Sequence, residues 1–321
     1  MSVAKGPGPP TLDFSPIGNS FAVTYQGTEL RLYDGNSMDM VWMMRSQELD
    51  MSQVRFSPDG RFIAIGGTAY GIGGHSIQIW NVDSREIVAT LEGHTQIVRS
   101  IDFSPDGRHL VSSSLDNTIR LWDLNDATEL MVIAAPGSAA FSPDGKTIAV
   151  TEDGNVYLWD VSRLAQSAVL PLSASTYAGG HPLFGHSLMF GPHGNTVAVV
   201  TGHSNPQGVT IMDVSSGVEV ARLEHRTGMS SVAYSPNGMR VATVTGGYNN
   251  DEETVIRLWD ANLGVEIARR VHPGMLYSVD FNSDGTKLAY LTSDYAVPVW
   301  DIGVVTAVLE ASWGSIKFGR P

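Results

Sequence analysis

Short runs of alternating apolar and polar residues recur along the chain, and most of them end at an aromatic residue that begins a turn. A two-residue period predicts strands that bury one face. The turn reads FSPDG at 56, 103 and 141, with the variants FSPIG at 14, FGPHG at 190, YSPNG at 234 and FNSDG at 281. Proline fixes φ in this turn and Asp-Gly or Asn-Gly closes it. Because the motifs follow one another at 38 to 49 residues, we predict seven repeated units.

Each unit contains room for four short strands. After the turn at 103, the runs HLVSSS and TIRLWDL alternate with a period of two and are separated by Leu115-Asp116-Asn117, and a fourth run, ATELMVIA, follows. No unit shows the pattern of a long amphipathic helix. Four strands every 40 to 45 residues, with Trp-Asp at the end of the third, is the pattern of a propeller blade.

Two motifs recur in register from about residue 10 to residue 310. The Trp-Asp pairs begin at 122, 159, 259 and 300, and Tyr33-Asp34, Trp80-Asn81 and Met212-Asp213 are degenerate versions. With its turn motif, the chain resembles the WD-repeat (WD40-type) β-propeller family. The resemblance implies an all-β, seven-bladed propeller of four-stranded antiparallel blades over residues 10–311, after a flexible segment at 1–9. Residues 312–321 look like a further strand, and the sequence leaves its pairing and the closure of the ring open.

Four histidines, at 94, 181, 225 and 272, stand nine residues before the aromatic of their unit. In the family this histidine joins a Ser or Thr, an Asp and the Trp in a hydrogen-bonded tetrad. Carried over to this chain, the resemblance predicts two complete structural tetrads: His94, Ser114, Asp116 and Trp122, and His272, Thr292, Asp294 and Trp300. A hydrolase triad is a poor alternative, because a nucleophile is needed once and this arrangement repeats.

Large polar residues occupy one position of the first strand, four residues before the aromatic. They are Arg99, His186 and Tyr277. The resemblance places them near the mouth of the central channel, on the face that carries the turns between second and third strands. A binding role and a merely solvated rim are both open.

Three of these turns are extended, at 66–76, 201–208 and 245–254. Insertions in one type of turn gather on one face of a propeller, although tolerated loop variation without function is the alternative. The candidate partner-binding residues in or beside them are Tyr70, His75, His203, Tyr248, Asn249, Asn250, Asp251 and Glu252, and Glu152 is an acidic neighbour of the channel mouth.

Charge narrows the range of partners. The chain has 33 acidic and 20 basic residues, a net charge of -13 and a pI near 5.0, so phosphate backbones and anionic lipids are repelled. We therefore expect neither a nucleic-acid nor a membrane partner. The chain has no cysteine, and we find no signal peptide or apolar run that could span a bilayer, which together predict a cytoplasmic protein. His186 and His203 provide too few ligands for zinc, and we predict no metal and no cofactor.

The leading prediction is a non-enzymatic scaffold or interaction protein, favoured as a monomer, that binds a protein or peptide partner through the loop-extended face and channel mouth. The alternative is a propeller, with or without enzymatic activity, that binds a small molecule or glycan at the channel mouth, since the fold alone does not decide function. A pocket lined by Arg99, His186 and Tyr277 would favour that alternative. A purely structural role through the blade edges is a third reading.

Overall fold

Seven antiparallel sheets make up the fold, and each is formed from strands that are consecutive in the chain. The computed structural model describes residues 11–46, 49–69, 75–172, 188–201, 207–225, 229–245 and 254–303. Within these ranges, the elements are all strands. The predicted all-β propeller is confirmed.

The first four sheets, blades one to four, each contain four strands. Blade one contains β1 (Leu12–Phe14), β2 (Ser20–Tyr25), β3 (Glu29–Asp34) and β4 (Met40–Arg45). Blade two contains β5 (Leu49–Phe56), β6 (Phe62–Ala69), β7 (His75–Asn81) and β8 (Ile87–His94). Blade three contains β9 (Val98–Phe103), β10 (His109–Ser114), β11 (Thr118–Asp123) and β12 (Thr128–Ala134). Blade four contains β13 (Ala139–Phe141), β14 (Thr147–Glu152), β15 (Asn155–Asp160) and β16 (Ala165–Pro171).

The remaining sheets, blades five to seven, follow the same order. Blade five contains β17 (Leu188–Phe190), β18 (Thr196–Thr201), β19 (Gln207–Asp213) and β20 (Glu219–His225). Blade six contains β21 (Met229–Tyr234), β22 (Arg240–Thr245), β23 (Thr254–Asp260) and β24 (Glu266–His272). Blade seven contains β25 (Leu276–Phe281), β26 (Lys287–Thr292) and β27 (Val299–Asp301), and residues 304–321 lie outside the described part of the chain.

The Ser-Pro-Asp-Gly turns fix the connection between the first and second strands. In blade two, the Ser57 hydroxyl donates to the Asp59 carboxylate at 2.6 Å and the Gly60 N–H donates to the Ser57 carbonyl at 2.8 Å. Gly60 has a φ of 67°, which costs glycine little because it has no Cβ. The motif therefore sets the hairpin geometry in the way its composition predicts.

Apolar side chains pack between neighbouring blades and close the ring. Phe14 and Phe21 of blade one share a buried cluster with Ala289 and Leu291 of blade seven. The Phe14 N–H also donates to the Asp280 carboxylate of blade seven at 2.8 Å. Blade seven therefore packs directly against blade one, which answers the question of closure that the sequence leaves open.

The two ends of the ring differ in the turns they carry. We call the end with the turns between second and third strands the upper face, and the end with the Ser-Pro-Asp-Gly turns the lower face. In blade two, the extension predicted at 66–76 is partly strand, because β6 continues to Ala69 and β7 begins at His75. The expectation of a loop over that whole range is corrected: residues 67–69 continue β6 and pair with β5, and residues 70–74 lie outside the described part of the chain.

Candidate functional site

A buried hydrogen-bond network links blades two and three. His94 ends β8, and its Nδ1 lies 2.9 Å from the Asp116 carboxylate. Its Nε2 lies 2.8 Å from the Ser112 hydroxyl, which also accepts the Trp122 indole N–H at 2.9 Å. The network connects the last strand of one blade to the second and third strands of the next.

The structure corrects the serine of this tetrad from Ser114 to Ser112. Ser114 instead donates to the Gln96 carbonyl at 2.9 Å and accepts the Asp116 N–H at 3.1 Å. Both serines share one face of β10, but two residues along a strand are about 7 Å. Only Ser112 is near enough to both rings to bridge them.

The charges of this network are fixed by burial and hydrogen bonding. Burial opposes ionisation of Asp116, but hydrogen bonds from Thr118, the Thr95 N–H and His94 hold its pKa well below the usual value. Burial lowers the pKa of His94, although Asp116 opposes that shift. Ser112 is fully buried. A serine in this setting, with its oxygen occupied by an indole, has no access to a substrate, so the arrangement is suited to stabilising the fold.

Blade seven does not repeat this network, which corrects the second predicted tetrad. Tyr290 occupies the position of Ser112 and meets the His272 ring edge-on, at 6.0 Å between centroids. The Thr292 hydroxyl donates to Asp294 and accepts the Ala296 N–H, and His272 Nδ1 accepts the Gly274 N–H. A phenol ring thus fills the space of the bridging hydroxyl. Trp300 lies instead under the Arg270 guanidinium, 4.7 Å from the ring centroid.

Blades four and six show which part of the network depends on that hydroxyl. In blade six, the Trp259 indole donates to Thr243 at 2.8 Å, and burial together with Arg257 lowers the pKa of His225 to about 3. In blade four, Val150 stands at the equivalent position and the Trp159 indole nitrogen is buried without a partner. The network is therefore complete in blade three alone among the described tetrad positions of blades three, four, six and seven.

An aromatic cluster lies on the upper face where blade one meets blade seven. Tyr25 ends β2 and Tyr295 lies in the turn after β26; their ring centroids are 4.6 Å apart, at an interplanar angle of 51°. The Arg31 guanidinium carbon lies 3.4 Å from the centre of the Tyr25 ring. Glu29 holds Arg31 at 2.6 Å and also pairs with Arg45. The two tyrosines are half-buried, so each presents part of its ring to solvent.

Two further polar groups belong to this cluster. Burial raises the pKa of Tyr295, and Tyr277, Tyr25 and Asp50 raise it further. Of the two predicted channel-mouth residues that the structure describes, Arg99 and Tyr277, Tyr277 is the one that acts on Tyr295. We call Tyr25, Asp50, Tyr277 and Tyr295 the seam cluster. It combines three aromatic rings with one carboxylate.

The other described candidates lie elsewhere on the upper face. Arg99 is half-buried on β9, and burial lowers its pKa. Glu152 ends β14, where burial and then Asp153 raise its pKa. His75 begins β7 and pairs across the hairpin with His94 of β8. These three residues belong to blades two, three and four, whereas the tyrosines of the seam cluster belong to blades one and seven.

The remaining eight candidates all lie outside the described residues. They are Tyr70, His186, His203, Tyr248, Asn249, Asn250, Asp251 and Glu252. Within the described ranges, no three His, Asp or Glu side chains are grouped so that they could hold a metal ion. No helix among those residues is long and apolar enough to cross a membrane.

A polar cavity of about 280 Å³ opens on the lower face. Asp13, Arg55, Asp102 and Asp280 line it, together with aromatic and proline side chains from the same turns. Arg55 pairs with Asp13 at 2.5 Å and lies 3.9 Å from Asp102. We call these four residues the acidic cluster. It lies at the opposite end of the ring from Arg99 and Tyr277.

Comparison with known proteins decides the family. The family model described as "WD domain, G-beta repeat" matches residues 85–123, 136–160 and 217–260. These stretches cover the first three strands of blades three, four and six and contain Trp122, Trp159 and Trp259. The chain belongs to the WD40-repeat β-propeller family.

The chain is also similar to several curated proteins. The "Transcriptional corepressor LEUNIG_HOMOLOG" of Arabidopsis thaliana is 29% identical over 211 residues, which cover 64% of this chain and 24% of the relative. The human "WD repeat and SOCS box-containing protein 1" is 31% identical over 143 residues, 39% of this chain and 33% of the relative. "Periodic tryptophan protein 2" of Arabidopsis thaliana is 25% identical over 225 residues, 68% and 23% respectively. This WD40-repeat propeller thus matches only a quarter to a third of the length of these relatives.

Sequence reasoning missed Tyr25, Asp50 and Tyr295 of the seam cluster. Tyr295 follows Asp294 at the turn position where blade three has Asn117 and blade four has Gly154. Such a position favours glycine or asparagine because φ is positive there. A tyrosine at this turn position is therefore unusual, and the sequence alone could have drawn attention to it. Asp50 gives no comparable signal, since its proximity depends on the packing of blade two against blade one.

Proposed function

We propose that this WD40-repeat propeller is a non-enzymatic scaffold or interaction protein that binds a protein or peptide partner through the upper face at the channel mouth. The observation that carries the proposal is the seam cluster. Half-buried tyrosines provide apolar area and hydroxyl groups at low cost in side-chain entropy, and they are enriched in protein interfaces. Residues held by hairpin turns of a closed ring are already ordered before binding, which reduces the entropic cost of association.

The relatives support a role in protein interaction. One is named as a corepressor of transcription, and another is named for a SOCS box beside its WD repeats. The sequence predicts that the extended turns of blades two, five and six add candidate residues to the same face. A reducing compartment such as the cytoplasm agrees with the absence of cysteine. This localisation and a monomeric state both stay predictions.

The alternative of a small-molecule site at the channel mouth gains no support from the described residues. The cavity of about 280 Å³ is lined by the acidic cluster of the lower face, and neither Arg99 nor Tyr277 contributes to it. A broad half-buried patch of rings suits a flat partner surface better than an enclosed ligand.

Site-specific cross-linking tests the proposal. A photo-crosslinking amino acid at position 277 of the full chain should capture a protein partner that mass spectrometry identifies, and the same group at position 239 of the lower face should not. Met239 is a suitable control site because it is 62% exposed in a Ser-Pro-Asn-Gly turn.

The captured partner then provides a quantitative readout. We expect the pair of changes Arg99→Ala and Tyr277→Ala to weaken its binding by about tenfold or more, since interface tyrosine and arginine residues each contribute above 1 kcal/mol when they are central. Met239→Ala should leave the affinity unchanged. Equal capture from both faces, or an affinity that survives the upper-face changes, would contradict the proposal.

A further inference from the structure

We propose that Asn237 is a modification site, at which the side-chain amide is converted to a carboxylate by spontaneous deamidation through a cyclic imide formed with Gly238, with water as the co-reactant. The two residues close the Ser-Pro-Asn-Gly turn between β21 and β22, on the lower face of blade six. The inference goes beyond the proposed function and does not depend on it, because the upper face takes no part in the reaction.

The sequence and the exposure of this turn favour the reaction. Asn237 and Gly238 are the one Asn-Gly pair in the chain. In the first step, the backbone nitrogen of the second residue attacks the side-chain carbon of the asparagine, and a side chain on that second residue would hinder the approach. Gly238 has no Cβ, and its φ of 69° is one that glycine adopts readily. Asn237 is exposed, so water reaches the amide.

A histidine of the neighbouring blade is placed to promote the first step. His193 Nε2 lies 3.2 Å from the backbone carbonyl oxygen of Asn237, and because a carbonyl can only accept, the imidazole donates this hydrogen bond. The carbonyl belongs to the same peptide group as the Gly238 nitrogen. Donation to it stabilises the negative charge that this group carries after the nitrogen has lost its proton. A Cβ placed on Gly238 would lie 3.2 Å from the His193 ring, so the imidazole flanks the reacting group.

The reaction balances without an oxidant or a reductant. The Gly238 nitrogen loses its proton and attacks the Asn237 side-chain carbon, which forms the imide. The C–N bond of the side-chain amide breaks, the proton passes to the departing nitrogen, and ammonia leaves. Water then opens the imide ring, at the side-chain carbonyl to give aspartate or at the backbone carbonyl to give isoaspartate. One water is consumed and one ammonia is released.

The hydrogen bonds of the resting turn slow the reaction. The Asn237 side-chain oxygen accepts the Ser235 hydroxyl at 2.8 Å and the Met239 N–H at 3.1 Å. The Gly238 N–H donates to the Ser235 carbonyl at 2.8 Å. These bonds open before the nitrogen reaches the side-chain carbon, so the folded chain reacts more slowly than a short peptide of the same sequence.

The aspartate product fits the turn in which it forms. Blade four has Asp144 at the equivalent position, where the carboxylate accepts the Ser142 hydroxyl at 2.6 Å and the Lys146 N–H at 3.0 Å. The Asn237 oxygen accepts the same two kinds of bond. In blade four they lower the pKa of Asp144, so a turn of this type stabilises a carboxylate at neutral pH. Isoaspartate lengthens the backbone by one carbon and lacks this fit.

Peptide mapping by mass spectrometry tests the inference on the full chain. The purified protein is incubated in mildly alkaline buffer at physiological temperature, in water labelled with oxygen-18. We expect deamidation at Asn237 to be about tenfold or more faster than at Asn262, an exposed asparagine that is followed by leucine in the outer turn of blade six. A labelled oxygen shows that the product formed during the incubation, and isoaspartate identifies the imide route.

Two variants test the part played by the imidazole. His193→Ala removes the hydrogen bond to the Asn237 carbonyl and leaves the residues of the turn unchanged. Its rate of deamidation should fall by about threefold or more, since one hydrogen bond to the reacting group is lost. His109→Ala, in blade three, removes an imidazole at a distance from the turn and should react at the rate of the wild type.

The outcomes that contradict the inference are distinct. A rate at Asn237 no higher than at Asn262 would overturn the site. A product that contains aspartate and no isoaspartate would overturn the imide route, because direct hydrolysis of the amide gives aspartate alone. Equal rates for the wild type and His193→Ala would overturn the role assigned to His193.

Discussion

At the scale of single residues, one hydroxyl decides what a histidine of this ring does. His94 completes a network because Ser112 lies between its imidazole and the Trp122 indole. Where tyrosine takes that position, in blade seven, His272 and Trp300 contact other groups. Where valine takes it, in blade four, the indole nitrogen of Trp159 is buried without a partner. The same histidine position therefore stabilises blade three more than its neighbours.

Ser112→Ala is expected to lower the free energy of unfolding by about 2–4 kcal/mol. The change leaves His94 Nε2 and the Trp122 N–H buried without a partner, and each unsatisfied group costs about 1–3 kcal/mol. Urea denaturation followed by tryptophan fluorescence measures the effect.

Ser114→Ala is the matched control, one position further along the same face of β10. Its hydroxyl bonds only to backbone groups near the end of the strand, so the expected loss is about 1 kcal/mol. A larger loss for Ser114→Ala than for Ser112→Ala would restore the assignment that the sequence suggests.

Residue identities were predictable where the repeat register fixes them. His94, Asp116 and Trp122 follow from their offsets to the turn motif. The serine did not, because a run of three serines offers two on the same face and only the cross-strand positions of the rings distinguish them. Most of the seam cluster escaped prediction for a related reason, since its members come from three different blades.

At the scale of elements, the turns between second and third strands are the variable parts of the blades. They combine tight hairpins, such as Asp153-Gly154, with extended ones, and they place non-glycine residues at positive φ. Asn117 has a φ of 61° in blade three and Tyr295 has 62° in blade seven. Asparagine and tyrosine, which are very different side chains, thus adopt the same backbone conformation in the two turns.

Transplanting the tyrosine measures the cost of that conformation. Asn117→Tyr should lower the free energy of unfolding by about 1 kcal/mol, because asparagine tolerates the left-handed region and a bulky side chain does not. Asn117 is exposed, and its side chain makes no hydrogen bond among those described, so little else is lost.

Asn117→Gly provides the reference for this turn and should change stability by only a few tenths of a kcal/mol. Urea denaturation of the three proteins compares them directly. A neutral Asn117→Tyr would remove the argument that Tyr295 is held in a strained conformation.

The sequence predicts the strands well and the length of the hairpins poorly. Period-two alternation and the two motifs locate every described strand to its blade. The sequence predicts a loop from residue 66 in blade two, yet β6 runs to Ala69. Glycine-rich sequence disfavours a strand by its own propensity, and pairing with β5 overrides that preference.

At the scale of the whole molecule, the acidic cluster makes the ring sensitive to pH. Burial raises the pKa of Asp102 to about 6, and burial with the charge of Asp13 raises that of Asp280 to about 7. Burial also raises the pKa of Asp13, against the attraction of Arg55. One guanidinium faces three carboxylates, so their ionisation together is unfavourable.

The direction of the pH effect follows from these shifts. An aspartate in the unfolded chain has a pKa of about 3.9. Because the folded pKa of Asp280 is higher, the stability it contributes is present in full below about pH 4 and is lost as the pH rises through about 7. Buried His94 and His225 act in the opposite direction, since their lowered pKa values make stability fall as the pH decreases below about 6.5.

Asp280→Asn isolates the contribution of the carboxylate. As the pH rises from 5.5 to 8.5, the free energy of unfolding of this variant should increase relative to that of the wild type by on the order of 1 kcal/mol, because asparagine has no proton to lose. Urea denaturation across that range gives the difference, in which the histidine contributions cancel. Asp83→Asn, an exposed control, should show no such trend, and a flat difference for Asp280→Asn would refute the assignment.

The number of blades could be read from the sequence, and the closure of the ring could not. Each blade contributes one turn motif, so the seven motifs give the number of blades directly. Closure depends on contacts between residues more than 260 positions apart, such as Phe14 with Asp280, and no local pattern reports them. Asp13 and Asp102 make equivalent bonds to the Phe56 and Phe141 N–H groups of the following blades.

These carboxylate bridges are distributed unevenly around the ring. They join blade seven to one, one to two, and three to four, whereas Ala140, Met189 and Ala233 hold the corresponding place in blades four, five and six. Blades four to seven are thus joined at their inner strands without such bridges. We therefore expect sub-global unfolding to begin on that side of the ring, and the junction where the first and last blades meet to separate late.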